Sequence, residues 1–167
     1  MLNAVEVVID SVRVSLTSQQ RIVVLREVDN ERYLPIWIGP YEAESITIAL
    51  QEVEVARPLT HDLLKNTINA LNARVLRVEV LALRDDVFYG NIVLEIDGNE
   101  MSIDSRPSDA LALAVRTHVP IQVSREVMEA AGIIPEKDIQ DQKTPPSDMT
   151  TSDEPLSKAG EERLSVF

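Results

Sequence analysis

The residues most able to do chemistry lie in one short stretch, Ile103–Val115, where Asp104, Ser105, Arg106, Ser108 and Asp109 stand ahead of an apolar run. Two carboxylates, two hydroxyls and a guanidinium are thus gathered around one proline. Pro107 fixes its own φ and disfavours helical geometry at Arg106, so a helix is expected to begin at or just after Arg106. Met101 and Ile103 alternate with polar residues, as on a half-buried strand. A strand therefore ends here and a helix starts. Its first turn presents unpaired N–H groups and a positive dipole end, which favour anions.

Two other predicted helix starts also carry acids: Glu42 and Glu44 after Gly39-Pro40, and Thr60-His61-Asp62. Taken singly, each reads as ordinary capping, with acids complementing the dipole. Taken together, Glu42, Asp62, Asp104 and Asp109 offer hard oxygen ligands for Mg²⁺ or Mn²⁺. Such an ion could activate water and hold a phosphate, with His61 as base or ligand and Arg106 meeting developing negative charge. No short metalloenzyme spacing is present. His118 is expected at a helix C-terminus, in a structural role. For Trp37, Tyr41, Phe88 and Tyr89, core or interface packing is favoured over base stacking, which usually pairs aromatics with a basic groove. Phosphate-loop, dinucleotide and nucleophile-elbow patterns are absent.

These groups need elements to hold them. Residues 4–16 read as a strand whose apolar parity changes between Ile9 and Val12, which predicts a bulge near Asp10-Ser11. Strands over 21–28 and 33–38 complete an antiparallel meander. A helix is expected over 41–54, with Ala43, Ile46, Leu50 and Val53 as its buried stripe. Thr60 is expected to cap a second helix bearing Leu64, Ile68 and Leu71. Strands over 74–83 and 87–96 follow, then one at 101–103 after the Asp97-Gly98 hairpin signal. The third helix, 108–117, is apolar on nearly every side and should be buried. A short strand at 120–123 and a short helix over 125–131, ended by Gly132, close the pattern. The fold class expected is α+β: a mixed, mainly antiparallel curved sheet with three main helices packed on it.

Composition bounds the function. The 167 residues carry a net charge of −12. Divided at Glu136, the body holds 12 basic against 21 acidic residues and the tail 4 against 7, so the body itself is acidic. That counts against general phosphate-backbone binding, which needs a basic footprint. There is no cysteine, no apolar run long enough for a membrane helix and no basic-then-apolar leader, so a cytoplasmic protein without a membrane partner is expected. Residues 1–136 are expected to form one domain and 137–167 an acidic, largely disordered tail, with a weak helix at most over 156–167.

Several segments, in order, resemble the bifunctional nuclease family of bacteria and plants. They are Leu34-Pro35-Ile36-Trp37-Ile38-Gly39 with Glu42-Ala43, then Arg57-Pro58-Leu59-Thr60-His61-Asp62-Leu63. Asp86-Val87-Phe88-Tyr89-Gly90, Ile103-Asp104-Ser105-Arg106-Pro107-Ser108-Asp109-Ala110 and Ala131-Gly132-Ile133 follow. The resemblance implies a compact, self-associating α/β fold acting on both RNA and DNA. Combined with the chemistry above, it gives His61, Asp62, Asp104, Arg106 and Asp109 as the expected catalytic set. Arg57, Thr60 and Ser108 are expected to bind substrate, and Glu42, Asp62, Asp104 and Asp109 to bind metal. The expectation is a divalent-assisted nuclease meeting nucleic acid transiently. The alternative is a non-enzymatic oligomeric module for ligand binding or regulation.

Overall fold

The computed structural model describes residues 3–135; the tail expected beyond them lies outside the described residues. Seven strands form one mixed sheet in the order β3-β2-β1-β7-β4-β5-β6. They are β1 (Ala4–Val14), β2 (Arg21–Glu27), β3 (Tyr33–Ile38), β4 (Arg74–Arg84), β5 (Val87–Ile96), β6 (Asn99–Ser105) and β7 (Ile121–Ser124). All neighbours are antiparallel except β4 and β7, which run parallel. The helices are α1 (Pro40–Leu50), α2 (Thr60–Ala70), α3 (Pro107–Thr117) and the short α4 (Arg125–Ala131). This is the α+β architecture expected, with a fourth, minor helix. No helix among the described residues is long and apolar enough to cross a membrane.

Local sequence chemistry accounts for the register. In β1, Ile9 pairs with Leu25 but Ser11 pairs with Val24, so Asp10 is the extra residue of a bulge. The bulge keeps Val7 and Val12 facing the same side despite their opposite parity. Asp97 and Gly98 turn between β5 and β6, and Asp85 and Asp86 between β4 and β5. All four have positive φ, as the tight hairpin turn with two left-handed central residues requires. Glycine or a short acid meets that demand at least cost.

Helix α3 lies against α1, α2, β4 and β5. Ala110, Leu111, Ala112, Leu113 and Ala114 are all buried. Full burial of a leucine stabilises by about 1.5–3 kcal/mol, so Leu111 and Leu113 alone anchor the helix firmly. Its start is held equally tightly. A Cβ on Gly90 of β5 would come within 2.9 Å of both Ser105 O and Pro107 N, so only glycine lets the β6–α3 junction sit against β5.

Helix α1 ends earlier than its apolar stripe predicts. The chain leaves helical geometry after Leu50, and Glu52 adopts a left-handed conformation with φ 52°. Val53 therefore falls off the stripe, and it and Leu50 are exposed. Helix α2 begins at Thr60, but Leu59 holds the cap position instead of Thr60. Leucine has no acceptor to offer. The Asp62 carboxylate supplies the reverse half of the cap by accepting the Leu59 N–H at 2.8 Å.

Candidate active site

The starts of α1, α2 and α3 converge. Glu42 and Ser45 come from α1, His61 and Asp62 from α2, and Arg106 and Asp109 from the β6–α3 junction. Arg106 Nη2 donates to Glu42 Oε1 at 2.8 Å and to Asp109 Oδ1 at 3.1 Å, while its Nε donates to Asp109 Oδ2 at 2.7 Å. Asp109 also meets His61 Nε2 at 3.0 Å, and His61 Nδ1 lies 2.7 Å from Ser45 Oγ. The result is a line of contacts, Ser45–His61–Asp109–Arg106–Glu42, running from a buried hydroxyl to a guanidinium whose side chain is 64% exposed.

Protonation follows from this line. Burial pushes the Asp109 carboxyl up, but hydrogen bonds from Arg106 and His61 outweigh it and hold the group below its ordinary value. An ionised Asp109 can only accept, so Nε2 of His61 carries the proton. In neutral His61, Nδ1 is then left to accept the Ser45 hydroxyl. Arg106 is held protonated more firmly than an ordinary arginine by its hydrogen bonds to Asp109 and Glu42. Its Nη1 makes no hydrogen bond among the described residues, so two N–H donors remain for an incoming anion.

A second set of contacts braces the first. Arg116, near the end of α3, is buried, and its Nε donates to Asp62 Oδ1 at 2.7 Å. Its Nη1 donates to Ala112 O at 2.8 Å and its Nη2 to Ser45 O at 3.2 Å. One guanidinium thus ties α2 and α1 to α3 directly behind His61. Burial raises the Asp62 carboxyl, and the Leu59 N–H and Arg116 together more than reverse that.

Two cavities flank Arg106. One, of about 360 Å³, is lined by Tyr41, Glu42, Ser45, Thr60, His61 and Asp109 with Arg106 itself. The other, of about 380 Å³, lies between Trp37 of β3, Phe88 of β5 and the Arg106-Pro107-Ser108 junction. Of the expected substrate-binding residues, Thr60 lines the first cavity and Ser108 the second. Arg57 lies exposed in the α1–α2 connection and lines neither. Asp104 is exposed on β6 opposite Asn91 and makes no side-chain hydrogen bond among the described residues.

The expected divalent site does not fit this arrangement. Glu42 and Asp109 spend oxygens on Arg106, Asp62 spends both of its oxygens on Arg116 and the Leu59 N–H, and Asp104 stands apart. Among the described residues no three acidic or histidine side chains surround a point where an ion could sit. His118 stands at the C-terminus of α3, as expected, in a left-handed conformation with φ 56°, its backbone N–H donating to Ala114 O at 2.8 Å. Core packing does not describe Trp37 or Tyr41, which are 58% and 82% exposed, because Trp37 points away from the buried Leu34–Ile36 face of its strand.

Ser45 and Arg116 were not singled out by the sequence. The signals were faint: Ser45 follows Glu42 by three residues and Arg116 follows Asp109 by seven, spacings that share a helix face.

The bifunctional nuclease domain model matches residues 23–136. The chain belongs to that family. An uncharacterized protein of Mycobacterium tuberculosis is 39% identical over 129 residues, covering 77% of each chain. Bifunctional nuclease 1 of Oryza sativa subsp. japonica is 30% identical over 115 residues, 67% of this chain and 35% of its own length. Bifunctional nuclease 2 of Arabidopsis thaliana is 29% identical over 115 residues, again 35% of its length. This chain therefore spans about a third of the plant bifunctional nucleases it matches. The family match embraces every residue of the Ser45–His61–Asp109–Arg106–Glu42 line.

Proposed function

We propose that this bifunctional nuclease domain hydrolyses phosphodiester bonds of RNA and DNA at the Arg106–Asp109–His61 centre. The observation that carries the reading is the placement of Asp109, held between a buried histidine and an exposed arginine with free donors. A scissile phosphate takes the Nη1 face of Arg106 and competes for the donors now given to Asp109. As Arg106 turns to phosphate, Asp109 loses the contact that most lowers its pKa, and burial makes it a better base. Water then attacks phosphorus and the bond to the leaving sugar oxygen breaks. Asp109 holds the attacking water's proton, while the leaving oxygen takes one from solvent. His61 positions Asp109, and Ser45 fixes the imidazole. No step runs through Mg²⁺ or Mn²⁺. Attack by water suits RNA and DNA alike, because it does not use the 2′-hydroxyl.

The test is cleavage of fluorogenic single-stranded RNA and DNA by highly purified protein. Asp109→Asn and Arg106→Ala are expected to lower the rate by about 10²–10⁴-fold, the usual reach of general-base and charge-stabilising groups. His61→Leu shifts the acid limb of the rate profile upward, since Asp109 loses a donor that lowers its pKa, and His61→Gln restores much of the loss. Asp104→Ala leaves the rate unchanged. Equal rates for wild type, Asp109→Asn and Arg106→Ala would overturn the assigned centre.

A second reading, an oligomeric binding or regulatory module, draws support from the acidic body and from the exposed Trp37 and Tyr41. It predicts a stable oligomer by light scattering, with no hydrolysis.

A further inference from the structure

We infer that the cavity beside Trp37 is a subsite for an unpaired nucleobase, so that the preferred substrate is a single strand. The inference rests on the nuclease reading above and names its substrate class.

The cavity is lined by the exposed Trp37, the partly buried Phe88, and the apolar residues Ile36, Ile38 and Val87. Its volume of about 380 Å³ lies within the range of small-molecule sites. A tryptophan 58% exposed on a strand is an unusual expenditure of apolar surface, since indoles are highly buried on average. Flat aromatic surface in a cleft is what stacks an unstacked base, and every base has a face to offer. Gln20 and Asp86 also line the cavity, offering an amide and an acceptor to a base edge.

The occupant is fixed by what adjoins the cavity. Arg106 lines this cavity and the His61–Asp109 cavity alike, so it is their common wall. A phosphate on Nη1 therefore places the attached nucleoside beside Trp37. On the far side of Arg106 stands Tyr41, 82% exposed and lining the catalytic cavity. A strand crossing Arg106 meets an aromatic ring on either side of its phosphate. A duplex keeps its bases stacked inside and can use neither ring.

Trp37 is the chain's single tryptophan, so its emission reports this site alone. The experiment titrates full-length Asp109→Asn protein, expected to cleave far more slowly than wild type, with a short labelled DNA single strand. A matched strand carries the same phosphates on abasic residues. The base-bearing strand is expected to quench Trp37 emission and to bind more tightly than the abasic strand by about 5- to 150-fold for each base–aromatic stack it makes. By label anisotropy, Trp37→Ala loses the share of one stack, about 5-fold or more, whereas Trp37→Phe keeps most of the affinity.

Equal binding of the two strands, or unchanged affinity in Trp37→Ala, overturns the subsite. So does an emission change on concentrating the protein alone, which marks Trp37 as a contact between copies of the chain. Binding and cleavage are read separately. Stacking without hydrolysis in the wild type sinks the nuclease reading, and hydrolysis without stacking sinks only this one.

Discussion

Replacing Asp62 with alanine strips a buried guanidinium of its only charged partner among the described residues and leaves the rest of its surroundings in place. The Arg116 side chain is 6% exposed and keeps two neutral acceptors, Ala112 O and Ser45 O. Breaking a buried ion pair from one side costs about 3–5 kcal/mol. Asp62 is itself 28% exposed, so water can enter the vacated space and the lower end applies, about 3 kcal/mol. The Leu59 N–H loses its acceptor too, adding about 1 kcal/mol as for other lost helix caps. The sum, about 4 kcal/mol, is a large share of the roughly 5–15 kcal/mol that holds a domain folded. Urea denaturation of Asp62→Ala should show the midpoint falling with little change in slope. The double variant Asp62→Ala/Arg116→Met removes the stranded charge and is expected to recover about half of the loss. A cost below about 1 kcal/mol for the single variant, or no recovery in the double, would refute the claim that this pair braces α1, α2 and α3.

Three further outcomes follow from the same geometry. The folded-state pKa values of Asp62 and Asp109 both lie below the ordinary 3.8, so their contribution to stability is fully present above that value. It is lost as pH falls through and below it, and thermal melts from neutral to acid pH should show Tm dropping there, less steeply in Asp62→Ala. Gly90→Ala forces a Cβ against Ser105 O and Pro107 N; a loss of about 1–3 kcal/mol by urea midpoint is expected, together with slower cleavage because Arg106 is displaced. Single-strand affinity should depend weakly on salt, with log K falling against log salt at a slope near −0.7 per phosphate held; a slope near −5 would mean a basic footprint that has been overlooked.

Features set by neighbouring residues were legible in the sequence. The parity change in β1 located the bulge at Asp10, the Asp97-Gly98 pair located a hairpin turn, and the all-apolar face of 108–117 located the buried helix. Each is a consequence of side-chain period or backbone strain, which act over a few residues. What depended on distant partners was less visible. The stripe of α1 could not reveal that Glu52 turns left-handed and ends it. An arginine in the last turn of α3 reads as a dipole partner until Asp62, 54 residues earlier, is found beside it. The three acidic helix starts were seen, and they do meet. Which of their acids face the cluster was not, and Asp104 lies on β6 outside it while Ser45 lies within.

The acidity that argued against nucleic acid becomes intelligible at the residue level. Glu42, Asp109 and Arg106 together carry one net negative charge, and Asp62 with Arg116 carries none, so the cleft has no standing attraction for a polyanion. On the proposed reading a phosphate on Nη1 also competes for the donors that Arg106 gives to Asp109, and each such exchange returns one anionic contact for another. Affinity must then come from something other than charge, and the exposed rings of Trp37 and Tyr41 flanking Arg106 can supply it. On the proposed reading such a site would discriminate against duplexes without a single clash, because a duplex offers phosphates, which gain little here, and withholds bases, which gain more. The same exchange links occupancy to chemistry. In the proposed mechanism a bound phosphate draws Arg106 from Asp109, so the base is strengthened when there is a bond for it to help break.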